Sequence, residues 1–226
     1  MNSTIDLLGY IFIAVIVFAF IYIYFKKSDF QLKCIISDVN GNTFCVRERT
    51  REKEAVDLLA KIAEKTKQFV EYLKNKFPEK ENIKRLVNGF NPDTIKETLP
   101  NSKHTAFTEN KKNMYFCLNV KKDSVESELI DEHTLTFVAL HEMAHIATKS
   151  IGHKSEFWEN FRFLLEEAKM AGIHEPVDYK QEPAEYCSTK IKDNPYYELK
   201  SGKSGKSGKP TVSPDAPSLT PGILDF

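Results

Sequence analysis

The hydrophobic pattern divides the chain into unlike stretches. Leu7 to Phe25 contains no charged side chain. As a helix rising 1.5 Å per residue it reaches about 28 Å, enough to cross a hydrocarbon core. Tyr10, Tyr22 and Tyr24 stand toward its ends, where amphipathic rings favour a membrane interface. A cleaved signal peptide fits less well: no basic residue precedes the run, the run is long, and no small-x-small site follows it. The pattern predicts a permanent single-span anchor over 1–28. Asp6 is the only charged side chain before the span, while Lys26, Lys27 and Lys33 follow it. Positive charge on that flank places the rest of the chain on the cytosolic side, with the amino terminus outside.

Beyond the span, the alternation changes period. Phe30 to Ile36 and Thr43 to Arg49 read as two strands around Asn40-Gly41, a hairpin over 29–50. From 51 to 77, Ala55, Leu58, Leu59, Ile62, Val70, Leu73 and Phe77 recur near helical spacing with lysine and glutamate between them, and Pro78 ends the pattern. The interleaved glutamates make that charged face a solvated surface and not a nucleic-acid patch. A short helix follows over 82–90, then loops at Asn91-Pro92-Asp93 and Leu99-Pro100-Asn101. Asn113 to Val120 has the aromatic and β-branched content of a strand.

Two helices complete the ordered part. The apolar positions of 132–149 predict one, closed by Ser150-Ile151-Gly152 with Gly152 at the position after the cap. Glu156 to Met170 predicts another, with Ser155 as its N-cap and Gly172 past its end. Phe157, Trp158, Phe161, Phe163, Leu164 and Leu165 are its core face. The elements add up to an α+β domain over 51–198. The Ser-Gly-Lys repeats and scattered prolines of 199–226 have little to bury and predict a disordered tail.

Composition narrows the chemistry only modestly. The 32 lysines and arginines equal the 32 aspartates and glutamates, so bulk charge favours neither nucleic acid nor an acidic substrate. Cys34, Cys45, Cys117 and Cys187 form no Cys-x-x-Cys pair. A two-residue Asn-Gly turn sets Cys45 opposite Ile36, so a Cys34–Cys45 bond needs a different loop. Free, mostly buried thiols are expected, although an even number also permits pairing outside the cytosol.

The densest chemistry lies in His141-Glu142-Met143-Ala144-His145. On a helix, His141 and His145 share a face and reach one metal ion, with Glu142 placed beside it to hold a water. The bland alternative is an amphipathic helix with two solvated histidines. Zinc with a reactive fourth position needs a third protein ligand. His153, just after the Gly152 turn, is the first candidate, and His174, Glu166 and Glu167 are its rivals. Tyr179 and Tyr186, flanking Glu182-Pro183-Ala184-Glu185, are candidate donors to an oxyanion, and packing is the commoner fate of both.

The run from His141 to His145, then Gly152-His153 and Glu156-Phe157-Trp158, resembles the SprT/WLM-type zinc metallopeptidases, whose third histidine lies just beyond the active-site helix and before an aromatic residue. The seven residues between His145 and His153 depart from the five of metzincins. The resemblance implies a small zincin-like domain with an active-site helix and a short antiparallel sheet. It also implies Zn²⁺ bound by His141, His145 and His153, and Glu142 as general base. It makes the strand before that helix, 113–120, an edge that pairs with extended substrate; an ordinary internal strand is the alternative. Such families often act on proteins crosslinked to DNA, but the neutral charge and lack of zinc-finger cysteines argue against that role, and no nucleic-acid partner is expected. Similar anchored metallopeptidases occur in large DNA viruses, which points to a viral or host endomembrane. A membrane-anchored endopeptidase acting on protein or peptide is therefore expected. A non-catalytic metal-containing binding module and a membrane scaffold are the alternatives.

Overall fold

The structure, a computed structural model, describes residues 2–26, 32–122 and 128–197, with side chains of 2–8 and 23–26 left aside. The tail at 199–226 and the flanking Lys27 lie outside the described residues.

Helix α1 runs from Asn2 to Lys26. Among the described residues, no helix is long and apolar enough to cross a membrane. This overturns the single-span anchor expected over 7–25, and with it the single-pass localisation.

Strands β1 (Leu32–Ile36) and β2 (Thr43–Arg47) pair antiparallel, with Cys34 opposite Cys45 and Ile36 opposite Thr43. The hairpin therefore closes on a loop two residues longer than the Asn-Gly turn predicts. Ser37 N–H donates to the Asn42 carbonyl, and Gly41, at φ +73°, turns the chain inside that loop. The reason is tertiary. Asp57 of helix α2 (Glu52–Lys76) accepts from the Ser37 hydroxyl at 2.7 Å and from the Asp38 amide at 3.0 Å, fixing the wider loop. In this register Cys34 and Cys45 form a disulfide, and Cys117 forms a second with Cys187. The expectation of free thiols is thus corrected.

The hairpin is part of the main core, to which Phe44 and Val46 contribute beside Ala55, Leu59, Ile62, Phe69 and Leu73 of α2. A buried polar knot fastens it further. Glu97 accepts from the Arg47 amide at 2.7 Å and from the Arg49 guanidinium, while Arg49 also reaches Asn119. Helix α3 (Glu81–Gly89) ends against the rest of the domain. A Cβ on Gly89 meets Ile146 and the Lys111 carbonyl at 2.7 Å each, so only glycine permits that approach.

Strands β3 (Lys96–Glu97), β4 (Ala106–Glu109) and β5 (Asn113–Phe116) form a mixed sheet in the order β3-β5-β4, with β3 parallel and β4 antiparallel to β5. The sequence predicts 113–120 as the edge and misses 106–109. In fact β5 is the centre and β4 the edge. Helix α4 (Glu132–Ala147) is buried on nearly every face; its N-cap Asp131 accepts from the Thr134 amide at 2.8 Å. Helix α5 (Ser155–Met170) begins one residue earlier than predicted, flanked by Lys154, so Ser155 is not its cap. The short hairpin β6 (Ala184–Tyr186) and β7 (Thr189–Ile191) docks on the stretch after β5: Cys187 and Ser188 amides donate to the Asn119 and Val120 carbonyls. The Cys117–Cys187 disulfide ties the same join.

Candidate metal centre

His141 and His145 stand one turn apart on α4, with ring centroids 5.0 Å apart. The chain after α4 turns back and places His153 at 5.1 Å from His141 and 4.9 Å from His145, ring centre to ring centre. The Nε2 atoms of His153 and His141 are 3.1 Å apart, and one ligand atom from each ring lies within 4.8 Å of the others. Two nitrogens held tetrahedrally at roughly 2.0–2.1 Å from one ion stand about 3.3 Å apart. The three imidazoles can therefore hold a metal ion. Phe157 supports all three rings, at 4.9, 4.4 and 4.6 Å, and Trp158 flanks His153 at 5.6 Å. The helix with two solvated histidines is excluded, since His141 is fully buried.

Burial also prepares the rings as ligands. Desolvation, with His145 and His153 adding to it, holds His141 well below its ordinary pKa. Desolvation brings His145 down to about 3, with His153 and Lys111 contributing. Neutral imidazoles offer the lone pairs that coordination needs.

Glu142 is buried next to them. Its Oε2 accepts from the Thr108 hydroxyl of β4 at 2.6 Å, while Oε1 has no hydrogen-bond partner among the described residues. Burial lifts the carboxyl to about 8, against the opposing pull of that hydrogen bond. A nearby dication favours the carboxylate and draws the value down again. The orphaned oxygen and the neutral rings both fit a bound cation.

A cleft of about 630 Å³ opens over this group. Phe107, Thr108, Asn110 and Lys111 line one wall, Glu142 and His145 the floor, and Ser150 to His153 the other wall. Phe107 and Thr108 of β4 border it, and among the described residues β4 pairs only with β5, on its other edge.

The rival ligands lie elsewhere. His174 stacks on His133 at the opposite end of α4, Glu167 accepts from Tyr72 and Lys76, and Glu166 is exposed. Tyr186 is buried with its hydroxyl donating to the Thr105 carbonyl at 3.2 Å, and Tyr179 packs edge-on against Phe137. Neither tyrosine lines the cleft. Thr108 and Lys111 are not signalled by the sequence: the four residues of β4 are too few to show an alternation, and Lys111 in the turn after it belongs to no motif.

The chain is 30% identical over 181 residues to the uncharacterized protein R325 of Acanthamoeba polyphaga mimivirus, across 78% of this chain and 90% of that protein, and it belongs to that protein's family. Shorter matches join it to two proteins of invertebrate iridescent viruses. Uncharacterized protein 136R of virus 6 is 37% identical over 70 residues, 31% of this chain and 39% of that protein. Uncharacterized protein 042R of virus 3 is 35% identical over 83 residues, 37% of this chain and 49% of that protein. No family model and no solved structure matches the chain.

Proposed function

We propose that this protein is a zinc-dependent endopeptidase. One observation carries the reading: three converging imidazoles and a buried carboxylate meet in a cleft beside an unpaired strand edge. The His-Glu-x-x-His order and its resemblance to SprT/WLM-type peptidases support it. His141, His145 and His153 hold the ion, and zinc supplies Lewis acidity toward a carbonyl and an acidified water. The chain's own groups do the rest. The edge of β4 takes an extended peptide by backbone hydrogen bonds, which demands no particular side-chain sequence. Phe107 and Ile151 give the cleft apolar walls. Glu142 accepts a proton from the attacking water and returns it to the departing amine, and Thr108 holds its carboxyl in place.

The test is Glu142→Gln in the full chain. Zinc content stays at the wild-type level, and cleavage of an unfolded-protein or peptide library falls about 100-fold to 10,000-fold, the range expected for losing a general base. Unchanged cleavage ends the peptidase reading. Zinc bound by wild type with no cleavage of any library leaves a metal-containing binding module.

A further inference from the structure

His153 reaches the metal centre only because residues 148–152 double back after the last turn of α4, and two opposite charges from different elements hold that reversal. Lys111, in the turn between β4 and β5, donates its ammonium to the carbonyls of Thr148, Lys149 and Ser150, the last two at 3.1 and 3.2 Å. Glu156, in the first turn of α5, accepts from the Lys149 amide at 3.0 Å and the Ser150 amide at 3.1 Å. At Lys149 and Ser150 the backbone is thus gripped through carbonyl and amide alike. Arg85 of α3 completes the arrangement, donating to the Ala147 carbonyl at 2.7 Å and to Glu156 at 3.3 Å.

Lys111 is placed by the hairpin itself: at φ +55° after Asn110 at φ +52°, it is the second central residue of a type I′-like turn that the Lys112 amide closes on the Glu109 carbonyl at 3.1 Å. Its carbonyl is pressed onto Gly89, so backbone and side chain are both committed toward the end of α4. Helix ends are ordinarily capped by glycine just past the last turn. Here Gly152, at φ +76°, comes five residues after Ala147, and the carbonyls between are left to an ammonium from another element.

We propose that Lys111 and Glu156 are positioning residues of the metal centre: by clamping Lys149 and Ser150 from opposite sides they fix where the His153 ring stands, and so set metal affinity and ligand number. The inference rests on the metal-binding reading of the three histidines. Outer groups that orient a ligand typically change affinity 10-fold to 100-fold when removed.

The experiment is competition of the full-length protein with a chromophoric chelator for Zn²⁺, together with the visible absorption of the Co²⁺ form. Wild type, His153→Ala, Lys111→Ala, Glu156→Ala, Lys111→Arg and Glu156→Gln are compared, with thermal unfolding of each metal-free chain. The expected result is one tightly bound Zn²⁺ in wild type and about 10-fold to 100-fold weaker binding in both alanine variants. Their Co²⁺ spectra shift toward that of His153→Ala. Arginine at 111 keeps the donors, and glutamine at 156 keeps one of two acceptors, so both recover part of the affinity. Wild-type affinity and spectra in both alanine variants overturn the clamp and leave the metal centre standing. Weaker binding with a wild-type Co²⁺ spectrum assigns Lys111 and Glu156 to general stability and overturns it too. Wild type that takes up no Zn²⁺ removes the metal reading together with the clamp.

Discussion

Helix α4 has histidines at both ends, and the two ends behave as opposites. At the carboxyl end, His141 meets His145 at an interplanar angle of 75° and His153 at 53°. At the amino end, His133 and His174 lie nearly parallel, at 28° with centroids 4.2 Å apart. An imidazole's lone pair lies in the plane of its ring. Tilted rings can aim their nitrogens at one point, whereas stacked rings present faces to each other and their nitrogens elsewhere. His133 accordingly uses Nε2 on the Glu175 carbonyl at 2.7 Å. Access differs as well: His145 and His153 line a cleft, while His174 is 3% exposed and packs near Phe137. Ring orientation and an open mouth make a candidate site; the number of histidines does not.

The largest expected effect separates the ends directly. His141→Ala or His145→Ala lowers Zn²⁺ affinity by more than about 100-fold, beyond what outer groups produce. His133→Ala and His174→Ala change it by less than about twofold. Chelator competition on the four variants reads both. A large loss in His174→Ala breaks the comparison.

Acid sharpens it. Desolvation, then the charges of His133 and Lys65, lower His174 from 6.5 to about 3, with Asp131 opposing. The folded chain keeps this ring neutral where the unfolded chain protonates it. Stability from this group is therefore complete above pH 6.5 and declines as pH falls from there toward 3, by at most about 1.4 kcal/mol per unit. In the metal-free chain His145 has the same depressed value, so its slope is common to wild type and a variant at 174. Urea unfolding at pH 7 and 4.5 should show His174→Leu losing about 2–3 kcal/mol less than wild type. Equal losses would mean that the buried ring does not resist protonation. In the zinc form, acid acts first by competing for the nitrogens and releasing the ion.

How much of this the sequence foretold depended on range. The motif residues are set by helical spacing within α4, and the periodicity of 51–77 is local in the same sense, so both emerged from the chain alone. Placing His153 near them also needed only a turn. What failed was long-range. The hairpin register answers to Asp57 on α2, the disulfides follow that register and the docking of β6 and β7, and the true edge strand is four residues without a pattern. The N-terminal apolar run does form a helix, α1, yet among the described residues no helix is long and apolar enough to cross a membrane. The two disulfides point away from the reducing side expected for the domain.

The smallest expected effect concerns the two tyrosines considered as oxyanion donors, one near each end of α4. Tyr186 is buried and spends its hydroxyl on the Thr105 carbonyl, at the start of the strand that borders the cleft. Tyr186→Phe removes that hydrogen bond while the Thr105 carbonyl keeps the Cys117 amide at 2.7 Å, a cost of about 0.5–1.5 kcal/mol. Tyr179 packs against Phe137 at the closed end. Because neither side chain reaches the cleft, Tyr186→Phe and Tyr179→Phe keep turnover within about twofold of wild type, against the roughly 100-fold to 1,000-fold loss that follows removal of a true oxyanion donor. Cleavage rates and urea midpoints of the two variants decide it. A large rate loss in Tyr186→Phe would show that its ring swings out to substrate, and would move the boundary of the active end of α4 to include β6.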